Sequence, residues 1–275
     1  MKQLKSMKQS IRQIIGKRFR KINASFKKLK ISISPEGAHA FRLEVKHLRS
    51  FLKMLAMENH KRDIIKIPAG LKKTYKKTGK LRLIQLEEEN IRKAVSQLDI
   101  HEPVHYFKTL QREEKRLEKS AKNYLGKIKS LKTDKFIHHL PSKIRQSTIQ
   151  KFYESQTAFS KNLLTNEKWD EKTLHEARKI LKDLLYNHVG INNCALELKI
   201  SGEQMERIKE LESKIGLYHD LCSYIRLLHK KKNQVNERQE NISLLNIRKE
   251  WRNEKRRLIE EIERLIPLIT FLNKN

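Results

Sequence analysis

The sequence predicts an all-α protein, and three observations support this fold class. Glycine and proline are scarce, with 8 and 5 copies among 275 residues, while Lys, Leu, Glu, Ile and Arg are abundant. Apolar residues recur every three or four positions through most of the chain, as they do in amphipathic helices. No stretch alternates with period two for long enough to predict a strand. We therefore predict eight long helices, four in each half of the chain.

The first half begins with a basic amphipathic helix. Residues 2–30 contain no acid, and their apolar residues recur at helical spacing. We predict that this apolar face packs into a bundle, with attachment to a membrane surface as the alternative. Ser34 and Pro35 are an N-cap and a first-turn proline for the second helix. The next three helices are predicted at about 34–59, 68–97 and 103–131.

A break near the middle of the chain separates the two halves. His138 and His139 precede Leu140-Pro141. Adjacent histidines diverge on a helix and no third ligand is near, so we interpret this stretch as a connector rather than a metal site. The halves are predicted as 1–137 and 138–275, together forming one domain. The second half is predicted to hold helices at about 142–164, 170–192, 202–232 and 236–272, with Pro267 bending or ending the last one.

The chain is strongly basic. It contains 62 Lys and Arg against 32 Asp and Glu, a formal net charge of +30. Such an excess destabilises a compact chain by self-repulsion, which implies a polyanionic partner. Nucleic acid, an anionic membrane and inorganic polyphosphate are the candidates.

The low cysteine content and the lack of a long apolar run indicate the cellular compartment of the protein. Cys194 and Cys222 are the two cysteines, with no CxxC motif, so neither a disulfide framework nor a structural zinc site is expected. No apolar run approaches the roughly 18 residues that span a bilayer, and no apolar segment follows the basic N-terminus as in a secretory signal. We expect a cytoplasmic protein with no membrane span.

One predicted helix carries a strip of positive charge. On a helical projection, its basic and ionisable residues share an arc of roughly 80°, with the apolar residues opposite. The strip comprises His39, Arg42, Lys46, Arg49 and Lys53. By itself this pattern is typical of a solvated surface helix.

The same pattern returns later in the chain. Arg178 and Lys182 follow His175 by three and seven residues, as Arg42 and Lys46 follow His39. The two histidines are 136 residues apart, about half of the chain. This spacing predicts an internal duplication with a functional strip in each copy.

These motifs resemble those of the CHAD family, an all-α family named for its histidines. The first motif is matched by His39, Arg42, Lys46, His47 and Arg49, and the second by His175, Arg178, Lys182 and Tyr186. A Leu-Gly-x-x-x-Asp element that follows each His helix is similar to Ile215-Gly216 with Asp220. The resemblance covers about residues 30–270.

Two positions depart from the family pattern. Leu83 stands where the first Gly element, which begins at Gly79, usually has Asp, and Leu185 stands where the second motif often has Arg. We therefore expect the first copy to be richer in phosphate contacts than the second. We expect Asp220 to orient a nearby Arg or His, because an acid in the site would repel phosphate.

The resemblance implies two pseudo-twofold-related four-helix bundles with a central basic groove or channel that binds inorganic polyphosphate. It implies no catalysis, cofactor or metal, and it leaves open an association with polyphosphate granules. His39 and His175 are expected either to contact ligand or to be structural. The predicted polyphosphate-binding residues are His39, Arg42, Lys46, Arg49, Lys53, His175, Arg178 and Lys182, with Arg82 and His219 as weaker candidates.

Two other function classes compete with this prediction. A nucleic-acid-binding helical protein fits the charge. However, the sequence contains no recognisable helix-turn-helix motif, zinc finger or aromatic surface for stacking bases. A phosphoryl-transfer enzyme would need a Gly-rich phosphate loop or converging metal-binding acids, and the sequence shows neither. Some family relatives adjoin a triphosphate-processing domain. Its alternating strands are absent here, so we expect a stand-alone member with secondary nucleic-acid binding through charge alone.

Overall fold

A computed structural model describes residues 2–58, 66–128, 131, 140, 144–165, 169–192, 201–231 and 237–269. These ranges contain eight α-helices and no strands, which confirms the predicted all-α class. The helices are α1 (Lys2–Ile31), α2 (Pro35–Ala56), α3 (Ala69–Leu98), α4 (Val104–Lys127), α5 (Gln146–Leu164), α6 (Glu171–Asn192), α7 (Gly202–Lys231) and α8 (Arg238–Ile269). No helix among the described residues is both long and apolar enough to cross a bilayer.

Several helices begin at polar residues that the sequence marks as caps. The Ser34 hydroxyl accepts a hydrogen bond of 3.0 Å from the amide of Gly37 at the start of α2. The Asp170 carboxylate accepts one of 2.6 Å from the amide of Thr173 in α6. Each bond satisfies an N–H group that lacks a partner within its own helix. These starts follow from local chemistry, so the sequence alone predicts them.

The start of α4 is stabilised by a residue of α8. The Glu240 carboxylate, which is completely buried, accepts backbone hydrogen bonds from His105 (2.8 Å) and Tyr106 (3.3 Å). Burial favours a higher pKa for Glu240, but these hydrogen bonds outweigh it and lower the pKa. No local pattern predicts such a cap, because its acceptor lies more than a hundred residues away.

The apolar faces of α1 and α2 pack together. Along α1 the residues Ile15, Phe19, Ile22, Phe26 and Leu29 are all buried, and α1 contacts α2. This burial confirms the predicted packing role of α1. At the other end of the chain, α8 continues for two residues past Pro267.

The chain forms two compact units. Unit 1 contains Met1–Arg82, Glu118–Phe159 and Lys182–Lys199, and unit 2 contains Leu83–Leu117, Ser160–Leu181 and Ile200–Asn275. Helices α3, α4, α5 and α6 therefore each contribute residues to both units.

The predicted halves describe repetition along the chain, whereas the units describe compactness in space. The halves, 1–137 and 138–275, stay a prediction, as does their arrangement as two pseudo-twofold-related bundles around a groove. His138 and His139 lie outside the described residues.

Candidate polyanion-binding site

The second His motif is divided between the two units. His175 and Arg178, in the first part of α6, belong to unit 2. Lys182 and Tyr186, one and two turns further on, belong to unit 1 together with the whole first motif on α2. Unit 1 therefore combines residues from both motifs.

Within unit 1, α2 packs on the later part of α6 through polar contacts. The rings of His47 and Tyr186 lie 4.2 Å apart between centroids. The buried Ser50 hydroxyl donates to the Asp183 carbonyl (3.0 Å) and accepts from the Asn187 amide (3.0 Å). These bonds fix how α2 lies against α6, and so place Lys182 beside the first motif.

Five side chains of unit 1 form what we call the basic cluster: His39, Arg42 and Lys46 of α2, Arg82 of α3, and Lys182 of α6. Partial burial lowers the pKa of His39, and the positive charges of Lys46, Arg82, Arg42 and Lys182 lower it further. Like charges act this way most strongly when they are close, so these four cations are the charged neighbours of the His39 ring. His39 is the most exposed of the five, and the others are half-buried.

The guanidinium of Arg42 is held by α3 without any carboxylate. Its Nη1 donates to the Tyr75 carbonyl (2.7 Å), and its Cζ lies 4.2 Å from the centre of the Tyr75 ring. It also lies against Gly79, where an added Cβ would stand 2.1 Å from Nη1. Burial lowers the pKa of Arg42, yet arginine remains charged at neutral pH. Arg42 therefore presents a positive charge that no acid among the described residues neutralises.

Arg178 occupies the corresponding place in unit 2, but there it is paired with acids. An added Cβ at Gly216 would stand 2.8 Å from its Nη2. Its Nε lies 3.1 Å from the Glu212 carboxylate, and its Nη1 lies 3.9 Å from that of Asp220. The expected role of Asp220, orienting a nearby cation, matches this geometry.

The rings of His175 and His219 stack in unit 2, with centroids 4.4 Å apart and planes inclined by 20°. Burial lowers the pKa of His175, and the neighbouring His219 ring lowers it further. The His175 Nδ1 atom is buried and has no hydrogen-bond partner among the described residues. Burial and the stacked ring of His219 both disfavour a proton on His175, so His175 is best suited to a neutral, packed role.

A comparison with known families now bears on these motifs. A family model described as the CHAD domain matches residues 13–229. The chain belongs to the CHAD family. No curated protein matches the sequence. The CHAD match contains every predicted binding residue from His39 to His219, while α8 lies beyond it.

Two further candidates of the α2 strip, Lys53 and Arg49, are not among the five side chains of the basic cluster. Lys53 is half-exposed and forms an ion pair with Asp183, whose side chain is 11% exposed. Arg49 is exposed, with its Cζ 5.9 Å from the centre of the Tyr75 ring. Lys53 therefore has a structural partner within the protein, whereas Arg49, like Arg42, lies beside the Tyr75 ring.

Sequence reasoning missed the residues that distinguish the two CHAD arginines. Tyr75 and Glu212 each stand four residues before a helical glycine, Gly79 and Gly216 respectively. Residues four apart share one face of a helix, so this spacing would have indicated which side chains flank each arginine. Their different chemistry, aromatic against acidic, distinguishes the two copies at this position.

A second basic surface lies on α8, outside the CHAD match. Its cations, Arg248, Lys249, Arg252 and Arg256, have no ion pair among the described residues. Arg252 and Arg256 line two adjoining surface cavities of about 610 and 290 Å³. These cations are not part of the basic cluster, so they are suitable control positions for charge-reversal variants.

Proposed function

We propose that this protein binds inorganic polyphosphate through the basic cluster of unit 1, without turning it over. The observation that carries the proposal is the convergence of His39, Arg42, Lys46, Arg82 and Lys182 from three helices. Membership of the CHAD family, which is linked to polyphosphate binding, supports the same ligand. A cytoplasmic location and association with polyphosphate granules belong to this proposal.

The chemistry of the cluster suits a linear polyphosphate. Such a ligand is a dense line of negative charge with no bases to recognise. Arginine offers a fork of N–H donors and lysine a movable point charge, so together they accept phosphate oxygens from several directions. Because Arg42 and Lys46 are one helical turn apart, they lie roughly 5–6 Å apart along α2 and can contact separate phosphates.

His39 gives the cluster a group that responds to the ligand. Its lowered pKa leaves the ring neutral at pH 7, where it donates one N–H group to a phosphate oxygen. A bound polyanion would offset the repulsion from the four cations and raise the pKa of His39. This coupling makes binding dependent on pH.

The primary test is a titration of the purified protein with long-chain polyphosphate at two salt concentrations. With four cations contacting the ligand, about 0.7 counterion released per contact predicts roughly a 50-fold loss of affinity between about 50 and 200 mM salt. An affinity that does not change with salt would contradict a largely ionic site.

A charge-reversal variant locates the site. Changing Arg42, Lys46, Arg82 and Lys182 to Glu should abolish measurable binding at moderate salt. The matched control reverses the same number of exposed cations elsewhere, Lys151 and Lys161 of α5 and Arg252 and Arg256 of α8. Equal losses in the two variants would mean that a diffuse field, rather than the basic cluster, attracts the ligand.

Competition separates this proposal from nucleic-acid binding. Polyphosphate should displace a labelled DNA duplex readily, while DNA should displace polyphosphate poorly, because a flexible single chain can bring successive phosphates to side chains of three helices more easily than a stiff duplex can. The reverse order of displacement would favour a nucleic-acid-binding protein. Release of phosphate from polyphosphate or ATP that survives repurification would contradict the non-catalytic part of the proposal.

A further inference from the structure

We infer that the two arginines of the duplicated motif have different roles: Arg42 contacts the polyanion, whereas Arg178 is neutralised by Glu212 and Asp220 and contributes to folding. The residue four positions before each glycine, Tyr75 or Glu212, decides which role its arginine takes. The inference rests on the proposed function, and it identifies Tyr75 as the residue that makes the first copy competent.

The geometry of unit 2 disfavours an anion at Arg178. The Arg178 and Glu212 side chains are only 19% and 15% exposed, and their ionic groups are 3.1 Å apart. A second carboxylate, that of Asp220, lies 3.9 Å from Nη1 of the same guanidinium. A phosphate that approached Arg178 would meet two carboxylates, and their repulsion would offset its attraction to one guanidinium. Charges this poorly solvated depend on each other, so loss of one partner destabilises the fold.

The geometry of unit 1 favours an anion at Arg42. The Tyr75 carbonyl accepts a hydrogen bond from Nη1 of Arg42. The Tyr75 hydroxyl lies 3.5 Å from Nη2, at the limit of a hydrogen bond. A guanidinium has five N–H donors, so the others remain for a ligand. Stacking on the Tyr75 ring fixes the plane of the guanidinium but leaves its charge uncompensated.

The two copies of the motif differ in charge on both sides of their glycines. Four residues before the glycine stands Tyr75 or Glu212, and four residues after it stands Leu83 or Asp220. Each acid of the second copy is thus replaced by an uncharged residue in the first. Gly79 and Gly216 are common to both copies because each must leave room for a guanidinium.

The test compares single variants by polyphosphate affinity and by Tm. Arg42→Ala should raise the Kd for polyphosphate at least about tenfold, the effect of one lost charge-assisted hydrogen bond, and change Tm little. Arg178→Ala should lower Tm and leave the Kd of the folded protein within about twofold. Equal affinity losses for both variants would overturn the inference. Absence of polyphosphate binding by the unchanged protein would instead overturn the proposed function.

Substituting the residues that flank each arginine tests whether they decide its role. Tyr75→Glu should place an acid beside Arg42 and weaken binding as much as Arg42→Ala, whereas the uncharged control Tyr75→Gln should weaken it less. Glu212→Gln combined with Asp220→Asn keeps Arg178 but removes its counter-charges, and should tighten binding at least about twofold. Equal affinities for Tyr75→Glu and Tyr75→Gln would contradict the inference, and this comparison remains decisive if Arg178→Ala does not fold.

Discussion

The guanidinium of Arg42 lies against Gly79, so closely that a Cβ atom there would stand 2.1 Å from Nη1. A glycine inside a long helix costs about 1 kcal/mol relative to alanine. The structure gives a reason for this cost, since the space above Gly79 is filled by a charged side chain from α2.

Gly79→Ala should therefore separate ligand binding from stability. The added methyl group must displace the guanidinium, which is the flexible end of its side chain, so we expect polyphosphate affinity to fall about tenfold. Better helix propensity offsets the lost contact, so Tm should change little. The control is Gly16→Ala in α1, where an added Cβ meets nothing within 4 Å. Unchanged affinity in Gly79→Ala would mean that the position of Arg42 does not matter for binding.

Polyphosphate affinity should increase as the pH falls from about 7.5 to 5.5. Burial and four cations lower the pKa of His39 below its ordinary value of 6.5, and a bound polyanion raises it. Between these two pKa values the complex holds more protons than the protein alone, so acidification favours the complex. Isothermal titration calorimetry in buffers of different ionisation enthalpy would measure the proton uptake.

His39→Gln is the matched variant for this pH dependence. It should retain most of the affinity at pH 7.5, where the imidazole is neutral, and lose the gain on acidification. An undiminished gain in His39→Gln would assign the uptake to another group.

Stability should decrease below pH 6.5 in part because of His47. Burial lowers the pKa of His47 to about 4, with further lowering by Arg18, Lys21 and Lys46. The unfolded chain takes up a proton near pH 6.5 while the folded protein does not, so the free energy of unfolding falls from pH 6.5 toward pH 4. Tm measured at half-unit steps should fall less steeply in His47→Gln. An identical slope in both proteins would contradict this account.

Asn187→Ala should destabilise unit 1. The Asn187 amide donates to both the hydroxyl (3.0 Å) and the carbonyl (3.2 Å) of buried Ser50. Removing it leaves those acceptors without this donor and opens a cavity, so we expect a loss of about 1–3 kcal/mol in the free energy of unfolding. Urea unfolding would measure it, with exposed Asn246→Ala as a control that should stay within about 0.5 kcal/mol. A loss no larger than that of the control would mean that the network is dispensable.

The fold class and the basic strip could be predicted from the sequence because both depend on local order. A Ser-Pro pair marks a helix start in any tertiary environment, and so does an Asp whose carboxylate accepts from the amide three residues later. Ser34 and Asp170 are the two examples in this protein. Helical periodicity likewise places His39, Arg42 and Lys46 on one face of α2. The family followed from the spacing of these same residues.

What each cation faces was decided by the tertiary structure. The second motif reads as a continuous strip on α6, yet Lys182 joins His39 in unit 1 while Arg178 pairs with Glu212 in unit 2. Periodicity specifies which side chains share a face of one helix. It does not specify which other helix, with an aromatic ring or an acid at the contact, that face will meet, because this depends on the packing of residues distant in the chain.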